Sequence, residues 1–265
     1  MRYLNFILLF LLLSFFLGGC QSGKMVPGLY WEQTTEMITP KGDTTKYDQK
    51  FYLIPEKLRS ERLGPYNETF LIVRLDKKIM VNGSPAESVY QQVPFEEIIR
   101  RQELRKENVR RMRAQMDTLP PSLRWRMERD VGVKWQPEKY EIQETGEKNI
   151  ISGFNCKKFI VTNHDTLEGE YWVTDAFGSL DTYGKDWLGI MGIIITGPQF
   201  DKHKLINEKG IIIEAQVGRT KITVPKMEKK LLPESLFDPP EGFEKREVPV
   251  WKPRVPPTDT LNNNK

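Results

Sequence analysis

Hydrophobic and polar positions alternate along the chain from residue 28 onwards. Leu29, Trp31 and Met37 share one parity, and Glu32 and Glu36 occupy the other. A period of two, combined with aromatic residues and threonines, is typical of half-buried strands. The same pattern, interrupted by turns rich in Gly, Pro, Asn and Asp, predicts further strands at residues 44–54, 57–63, 69–75, 79–81 and 88–93.

The pattern changes to that of a helix at Pro94. Residues 95–119 contain no Pro or Gly and are rich in Glu, Arg, Gln and Met, which are good helix formers. Pro94 suits the start of a first turn, and Pro120-Pro121 end the helix. Residues 122–130 indicate a second, shorter helix. We therefore predict a helical insertion at residues 94–130, between two parts of a sheet.

The helical insertion is strongly charged, and two interpretations of its charge are open. Its basic residues could contact anionic lipid headgroups, but acidic residues such as Glu103 and Glu107 are interleaved with them. Because a helix that lies on a membrane segregates its charged and apolar faces, an ordinary solvated face is favoured over membrane docking. The basic residues concerned are Arg100, Arg101, Arg105, Lys106, Arg110, Arg111 and Arg113.

Strands resume in the second half of the chain. A turn is expected at residues 145–148, a bulge or corner at Ser152-Gly153, and a hairpin closed over residues 164–166. Enrichment in β-branched and aromatic residues supports the strands on either side of these breaks. The predicted strands are residues 139–144, 150–151, 155–163, 168–174, 211–217 and 220–226.

Residues 187–195 form the most apolar stretch after the first twenty residues. Nine residues are too few to cross a bilayer, which takes about 20 residues of helix. Because most apolar runs are simply buried, a core element is favoured, and the alternative is a flap over an apolar groove. On the second interpretation the candidate ligand-binding residues are Trp187, Ile190, Ile193 and Ile195.

These patterns predict an α+β fold, mainly antiparallel β, with one domain at residues 28–243. Residues 232–243 form a closing segment rich in proline. Residues 244–265 contain prolines and asparagines and few apolar groups, so they are expected to be a disordered tail. Residues 1–19 are expected to be a signal peptide and residues 20–27 a tether, for the reasons given below.

Composition excludes some function classes. The chain has 265 residues and a formal net charge of +4, with both signs mixed throughout. A nucleic-acid-binding protein would show clustered basic residues on one face, so no nucleic acid partner is expected. Cys156 lies among apolar residues and is expected to be a buried small hydrophobe. The alternative is a reactive thiol activated by Lys157 and Lys158.

The first twenty residues carry a targeting signal. Arg2 precedes an apolar run at residues 6–17, which is too short to span a bilayer and suits a secretory signal. The segment Leu17-Gly18-Gly19-Cys20 follows and resembles a bacterial lipobox. That resemblance implies a diacyl thioether (palmitate-type) anchor on Cys20. The alternatives are an ordinary secretory signal with an incidental cysteine, or a buried apolar helix.

The lipobox resemblance also implies a location. Acylated Cys20 would hold the protein on a membrane, and Gln21 after the cysteine is not the aspartate that retains such proteins in the inner membrane. The expected location is therefore the bacterial outer membrane, facing the periplasm, and exposure on the cell surface stays open. The lipid anchor makes the membrane the first expected partner.

Several further segments together resemble an uncharacterised bacterial envelope family, a domain of unknown function similar to the LolA/LolB-like lipoprotein carriers. The resemblance spans residues 29–243. It implies a curved half-barrel sheet with the charged helical insertion across or beside it, and a concave face that in the carriers holds the acyl chains of a lipoprotein. The segments are Leu58-Arg59-Ser60-Glu61, Ile72-Val73-Arg74-Leu75-Asp76, Thr118-Leu119-Pro120-Pro121, Thr145-Gly146-Glu147, Gly153-Phe154-Asn155-Cys156-Lys157-Lys158, Glu170-Tyr171-Trp172-Val173-Thr174 and Leu232-Pro233-Glu234-Ser235-Leu236-Phe237.

Two functions follow as hypotheses. The first is a non-catalytic module that binds an acyl chain, a lipoprotein or an apolar peptide; the second is a structural envelope protein whose helical insertion binds a protein partner. An enzyme is not expected, since His164 and His203 are the only histidines and no nucleophile motif accompanies them. No metal site or cofactor is expected either, because the aspartates at 175, 181 and 186 do not match an EF-hand spacing.

Overall fold

The structure is a computed structural model, and it describes residues 24–39, 41–64, 68–131, 133–135, 138–183, 187 and 206–247. Predictions for the signal peptide, the lipobox, Ile190, Ile193 and Ile195 lie outside these residues. The strands are β1 (Met25–Ile38), β2 (Thr44–Ile54), β3 (Lys57–Leu63), β4 (Thr69–Arg74), β5 (Ile79–Ser84), β6 (Val89–Pro94), β7 (Tyr140–Ile151), β8 (Phe154–Asn163), β9 (Thr166–Thr174), β10 (Ile211–Val217), β11 (Thr220–Pro233) and β12 (Glu244–Arg246). The helices are α1 (Phe95–Asp117) and α2 (Pro121–Val131).

All twelve strands of the described ranges belong to one sheet, in the order β12-β6-β5-β4-β3-β2-β1-β11-β10-β9-β8-β7. Neighbouring strands are antiparallel, apart from the parallel pair of β12 and β6. Two meanders therefore meet where β1 pairs with β11, over a register that runs from Met25 opposite Pro233 to Met37 opposite Thr220. The predicted fold class is confirmed: the sheet is large, open, curved and mostly antiparallel, and two helices accompany it.

The turn predicted at residues 145–148 is wrong, because β7 runs through it as a bulged strand. Glu144 lies opposite Phe159 and Lys148 opposite Lys157, so β7 carries two extra residues there. Gly146 takes a φ of +84°, which glycine adopts at little cost. The chain reverses instead at Ser152-Gly153, where both φ angles are positive (51° and 82°), as a two-residue hairpin turn requires.

Two strands at the end of the chain extend beyond their predicted bounds. β11 continues through Pro233, whereas the alternation predicts its end at residue 226. β12 lies at the start of the segment predicted as tail, and its three residues pair with Val89, Tyr90 and Gln91 of β6. In both cases a neighbouring strand supplies backbone partners that the local sequence does not reveal.

The helical insertion forms as predicted, within two residues at each end. Phe95 and Ile98 at the start of α1 are buried against the sheet, and Met116 near its end is completely buried. The charges between them are paired along the helix: Glu97 with Arg100 (2.7 Å) and Arg101 (2.6 Å). The pairs Glu103–Lys106 (2.9 Å) and Glu107–Arg110 (3.1 Å) repeat this spacing. The arrangement agrees with a solvated, ion-paired face.

The sheet carries apolar clusters on both faces. One face bears Leu29, Leu53, Leu58 and Val73, and α1 packs on it through Phe95 and Ile98. We call this face the inner face. The opposite, outer face bears Ile54, Phe70, Ile72 and Val81, together with Leu232 and Phe237 from the chain's end. A third cluster lies between β8, β9 and β10, where Tyr171 and Val161 are completely buried.

Gly28 is required at the junction of the two meanders. A Cβ atom there would lie 2.4 Å from the carbonyl oxygen of Leu53 and 2.9 Å from Cδ1 of Leu232. Because the first of these is backbone, any side chain would push β1 and β2 apart. The close approach of the strands at this point depends on glycine.

Candidate functional site

The inner face is built on a continuous row of apolar side chains. The row crosses the first six strands because each member lies directly opposite the next in the register. Directly opposed residues share one face of a sheet and contact each other. The row consists of Leu29, Leu53, Leu58, Val73, Met80 and Val93.

Trp187 lies in the cluster that this row forms. Its side chain is 1% exposed and belongs to the buried cluster that contains Leu29, Leu53 and residues of β8, β10 and β11. The indole Nε1 is buried and has no hydrogen-bond partner within the described part of the chain. The residue therefore contributes to the core, which is the favoured of the two interpretations of the apolar stretch. Its predicted role in ligand binding stays a prediction.

Half-buried aromatic side chains pack against the edge of this cluster. Trp31 and Phe51, in the next row of the inner face, stack in parallel with ring centroids 4.6 Å apart and an angle of 3°. Phe154 and Phe177 meet edge to face at 5.4 Å. Trp172 lies under the ammonium group of Lys158 at 5.9 Å. These rings, which we call the aromatic rim, leave part of their apolar surface in contact with solvent.

A polar concavity lies beside the aromatic rim. It has a volume of about 600 Å³ and is lined in part by Gln49, Ser60, Arg62, Asn82 and Gln91. Ser60, Leu71, Asn82 and Gln91 continue the row of Phe51 across β3 to β6, so polar side chains join apolar ones in this part of the inner face. An apolar surface next to convergent polar groups is typical of ligand-binding sites.

Residues 234–243 of the closing segment cover part of the outer face, and basic side chains hold them in place. Lys57 and Arg74 are direct neighbours on β3 and β4 and are 8% and 6% exposed. Arg74 donates two hydrogen bonds to Asp76 (2.8 and 2.6 Å) and one to Asp238 (2.6 Å). Lys57 forms ion pairs with Asp76 and with Glu234.

Further contacts complete this cover. Arg59 donates from Nη1 to the carbonyl oxygen of Leu236 (2.9 Å), and Phe237 beside it is completely buried.

The hydrogen bonds from Arg74 lower the pKa of Asp76 below its ordinary value of 3.8, and the hydrogen bond from Lys57 lowers the pKa of Glu234. Burial and the neighbouring Glu61 raise the pKa of Tyr52 on the same face to about 12. The outer face is thus held by ion pairs, whereas the inner face is packed by apolar side chains and keeps half-exposed rings at the aromatic rim.

The other groups considered for chemistry lie apart. Cys156 is buried, as predicted, and burial raises the pKa of its thiol, which keeps it protonated. His164 and Asp165 form the turn between β8 and β9 with φ angles of 47° and 64°. His203 lies outside the described residues. Within the described ranges no three His, Cys, Asp or Glu side chains gather closely enough to hold a metal ion.

Sequence reasoning did not single out the aromatic rim. Trp31 and Phe51 were visible only as strand residues, and their stacking depends on the register of β1 and β2. One signal was available in the sequence. Trp31 is two residues from Leu29 and Phe51 is two residues from Leu53, so each ring is expected on the same face of its strand as the leucine.

A family model confirms the resemblance over part of the chain. Residues 122–243 match a domain of unknown function, DUF4412. The match ends at Phe243, where the resemblance was expected to end, and it covers α2, the second meander and the closing segment. The family's description names no enzymatic activity. No curated protein matches the chain.

Several solved structures are similar in fold. An uncharacterized conserved protein from Thermus thermophilus is 8% identical, with a TM-score of 0.44, over 84% of this chain and 91% of that one. The LolA superfamily protein NE2245 from Nitrosomonas europaea is 6% identical, with a TM-score of 0.29, over 80% and 90%. The MucA/MucB complex of Pseudomonas aeruginosa gives 7% identity and a TM-score of 0.36 over 86% of this chain and 62% of that chain. Structural similarity at these TM-scores does not identify a function.

Proposed function

We propose that this chain is a membrane-anchored envelope lipoprotein and a non-catalytic module that binds an apolar chain, such as an acyl chain of a lipid or lipoprotein or an apolar peptide, against the concave face of its half-barrel. The observation that carries the proposal is the aromatic rim. Trp31 and Phe51 present stacked, half-buried rings beside a core already formed by Leu29 and Leu53. When a ligand covers apolar surface that was exposed to water, the free energy falls, and this favours binding.

The neighbouring polar concavity supports the same proposal. An acyl chain laid along the aromatic rim would place its polar end near Ser60, Asn82 and Arg62. These groups can donate hydrogen bonds to ester or phosphate oxygens, and Arg62 adds a positive charge. In the proposed complex the rim supplies affinity and the polar concavity orients the ligand. Ile190, Ile193 and Ile195 are proposed as further contacts, and their positions lie outside the described residues.

Phe51→Ala is expected to weaken ligand capture by about tenfold, since it removes one aromatic contact from the proposed site. The measurement is native mass spectrometry of the detergent-extracted protein, which detects co-purified lipid as a mass increment. Tyr52→Ala is a matched control, because Tyr52 is the next residue on β2 and points to the outer face. Protein that carries no lipid in any preparation, or equal losses in both variants, would contradict the proposal.

Anchoring is proposed to occur through a thioether-linked diacylglyceryl group on Cys20. Cys20→Ser should stop acylation and processing, so the variant keeps its signal peptide and the full mass of its 265 residues. Fractionation of cells and intact-mass measurement test this together. If the processed mass and the lipid increment persist in the variant, Cys20 is not the anchor. The outer membrane, with the sheet in the periplasm, is the proposed location.

A second candidate function is binding of an envelope protein through the helical insertion, which one observation favours. Leu123 and Trp125 on α2 are 44% and 62% exposed. Aromatic residues exposed in this way are enriched at protein interfaces. A photo-reactive residue in place of Trp125 should give one discrete cross-linked product in intact cells, whereas the same residue at Arg110 on α1 should give none. Absence of a product at both positions would argue against this function.

A further inference from the structure

One end of the sheet joins exposed apolar residues to lysines. β1 starts at Met25, and the register places Met25 opposite Pro233 and Pro27 opposite Leu231 at the end of β11. Met25 is 53% exposed and Leu231 57% exposed, among the most exposed large apolar side chains in the described ranges. Lys24 precedes this end on β1, and Lys229 and Lys230 precede it on β11; all three are exposed.

The carboxylates near this end, Glu228, Glu234 and the exposed Glu56 between β2 and β3, offset only part of its positive charge. Glu234 is shared between Lys24 (3.6 Å) and the buried Lys57. Glu228 is half-buried and pairs with Lys226 (3.2 Å). Because side chains alternate along a strand, Met25, Lys229 and Leu231 lie on one side of this end and Lys24 and Lys230 on the other, where Lys230 lies over the ring of Tyr30 (5.3 Å). Lysines thus flank the exposed apolar residues at the end of the sheet, in contrast to the interleaved ion pairs of α1. Segregated lysines and apolar groups are what an anionic lipid surface attracts.

The chain that precedes β1 is short, and this is the second observation. If Cys20 carries the acyl chains, five residue steps separate its Cα from that of Met25. Those steps span at most about 17 Å when fully extended. The headgroup layer on each side of a bilayer is about 5–8 Å thick. The first strand of the sheet must then begin within about 17 Å of the membrane position of Cys20, and so close to the headgroups.

We propose that the end of the sheet formed by Lys24, Met25, Pro27, Lys229, Lys230 and Leu231, the docking end, rests on the anionic phospholipid surface of the membrane that holds the anchor. Met25 and Leu231 enter the headgroup layer, and the three lysines contact phosphate groups. The inference rests on the proposed acylation of Cys20, because only the anchor keeps such a small surface at the membrane. It goes further by fixing the orientation of the domain.

This orientation has a consequence for the inner side of the sheet. A concavity of about 510 Å³ lies at the docking end, lined by Gly28, Lys230, Leu231 and two aromatic residues, Phe177 and Tyr183. Phe177 is also part of the aromatic rim. Docking would place the mouth of this concavity at the bilayer surface, on the side from which an apolar ligand would arrive.

The test compares two labelled positions at opposite ends of the sheet. A fluorescent label on Leu231→Cys reports the docking end, and a label on Asp43→Cys reports the turn beyond β1, which at 14 residues is about 46 Å long. The native Cys156 is buried and does not compete for the label. Both full-length proteins are purified in their processed form and reconstituted into vesicles of phosphatidylethanolamine and phosphatidylglycerol that contain nitroxide-labelled lipid.

We expect the lipid nitroxide to quench the label at position 231 and not the label at position 43. The double variant Lys229→Glu with Lys230→Glu should remove the difference in quenching between the two positions. Each lysine near an anionic surface raises the binding constant about fivefold. Lys41→Glu with Lys46→Glu makes the same change in charge at the far end and should leave the difference intact. Vesicles of phosphatidylcholine alone should also abolish it.

The outcomes separate this inference from the proposed anchor. Equal quenching at positions 231 and 43 in protein that floats with the vesicles overturns the docking and leaves the anchor standing. Quenching at 231 that survives charge reversal also overturns it, because the lysines would then play no part. Protein of unmodified mass that stays out of the vesicles overturns the anchor, and the docking with it.

Discussion

Replacement of Trp187 with alanine should lower the free energy of unfolding by about 3–5 kcal/mol, the usual cost of removing a large buried aromatic side chain. Trp187 is 1% exposed, and Leu29, Leu53 and Ile213 of the same cluster are as deeply buried. Strand residues on several sides hold this environment, so the cavity would close only in part. Denaturant unfolding followed by circular dichroism measures the loss.

Two further variants sharpen this prediction. Trp187→Phe should cost only about 1–2 kcal/mol, because most of the ring volume remains and a buried N–H without a described partner is removed. Trp125→Ala is the control, because this tryptophan is 62% exposed and its loss should change stability by less than about 0.5 kcal/mol. Equal stability of Trp187→Ala and the wild type would mean that Trp187 belongs to a flap and not to the core.

Arg74→Ala should lower the free energy of unfolding by about 3 kcal/mol, since breaking a buried ion pair leaves its partners uncompensated. Arg74 is buried, and its removal takes two hydrogen bonds from Asp76, which keeps an ion pair with Lys57 (3.8 Å), and one from Asp238 in the closing segment. The expected loss lies at the low end of the usual range because Asp238 is half-exposed. Lys77→Ala is a matched control: Lys77 also approaches Asp238 (3.8 Å), but it is 55% exposed and should matter little.

The same network predicts a dependence of stability on pH. The pKa of Asp76 is lowered in the folded protein by the hydrogen bonds from Arg74, so its ionised form stabilises the fold. This contribution is complete above the ordinary aspartate pKa of 3.8 and is lost as the pH falls through the lower folded value. Unfolding measured above and below that pH should show a smaller acid loss in Arg74→Ala than in the wild type. An identical acid loss would show that another group is responsible.

The two faces of the sheet differ in kind. The outer face is covered by residues that follow β11 and is held by buried ion pairs, so its variants should change stability. The inner face combines a deep core around Trp187 with the half-exposed Trp31 and Phe51, so a binding defect there can occur without unfolding. Phe51→Ala and Trp187→Ala are thus expected to separate function from stability.

The register of the first hairpin shows how far local sequence can lead. The alternation around Trp31 and Phe51 identifies two strands, and the Pro-Lys-Gly-Asp sequence at residues 40–43 identifies the turn between them. The observed pairing of Ile38 with Thr44 centres the turn on Lys41, half a residue from the centre of the predicted turn. Because side chains alternate with a period of two, one residue of difference in register changes which side chains face each other. The stacked pair could therefore not be named in advance.

The sequence by itself determined the features whose causes are local. Period-two alternation determined most strands, the prolines at 94, 120 and 121 bounded the helices, and positive-φ residues at His164-Asp165 made a hairpin. Strands such as β4 carry apolar side chains on both faces. Only the tertiary structure therefore decided which face packs against α1 and which against the closing segment. It alone placed Lys57 beside Arg74 with carboxylates 177 and 164 residues away. A buried charge is tolerated only with such a partner, and a partner that far along the chain leaves no trace in the local pattern.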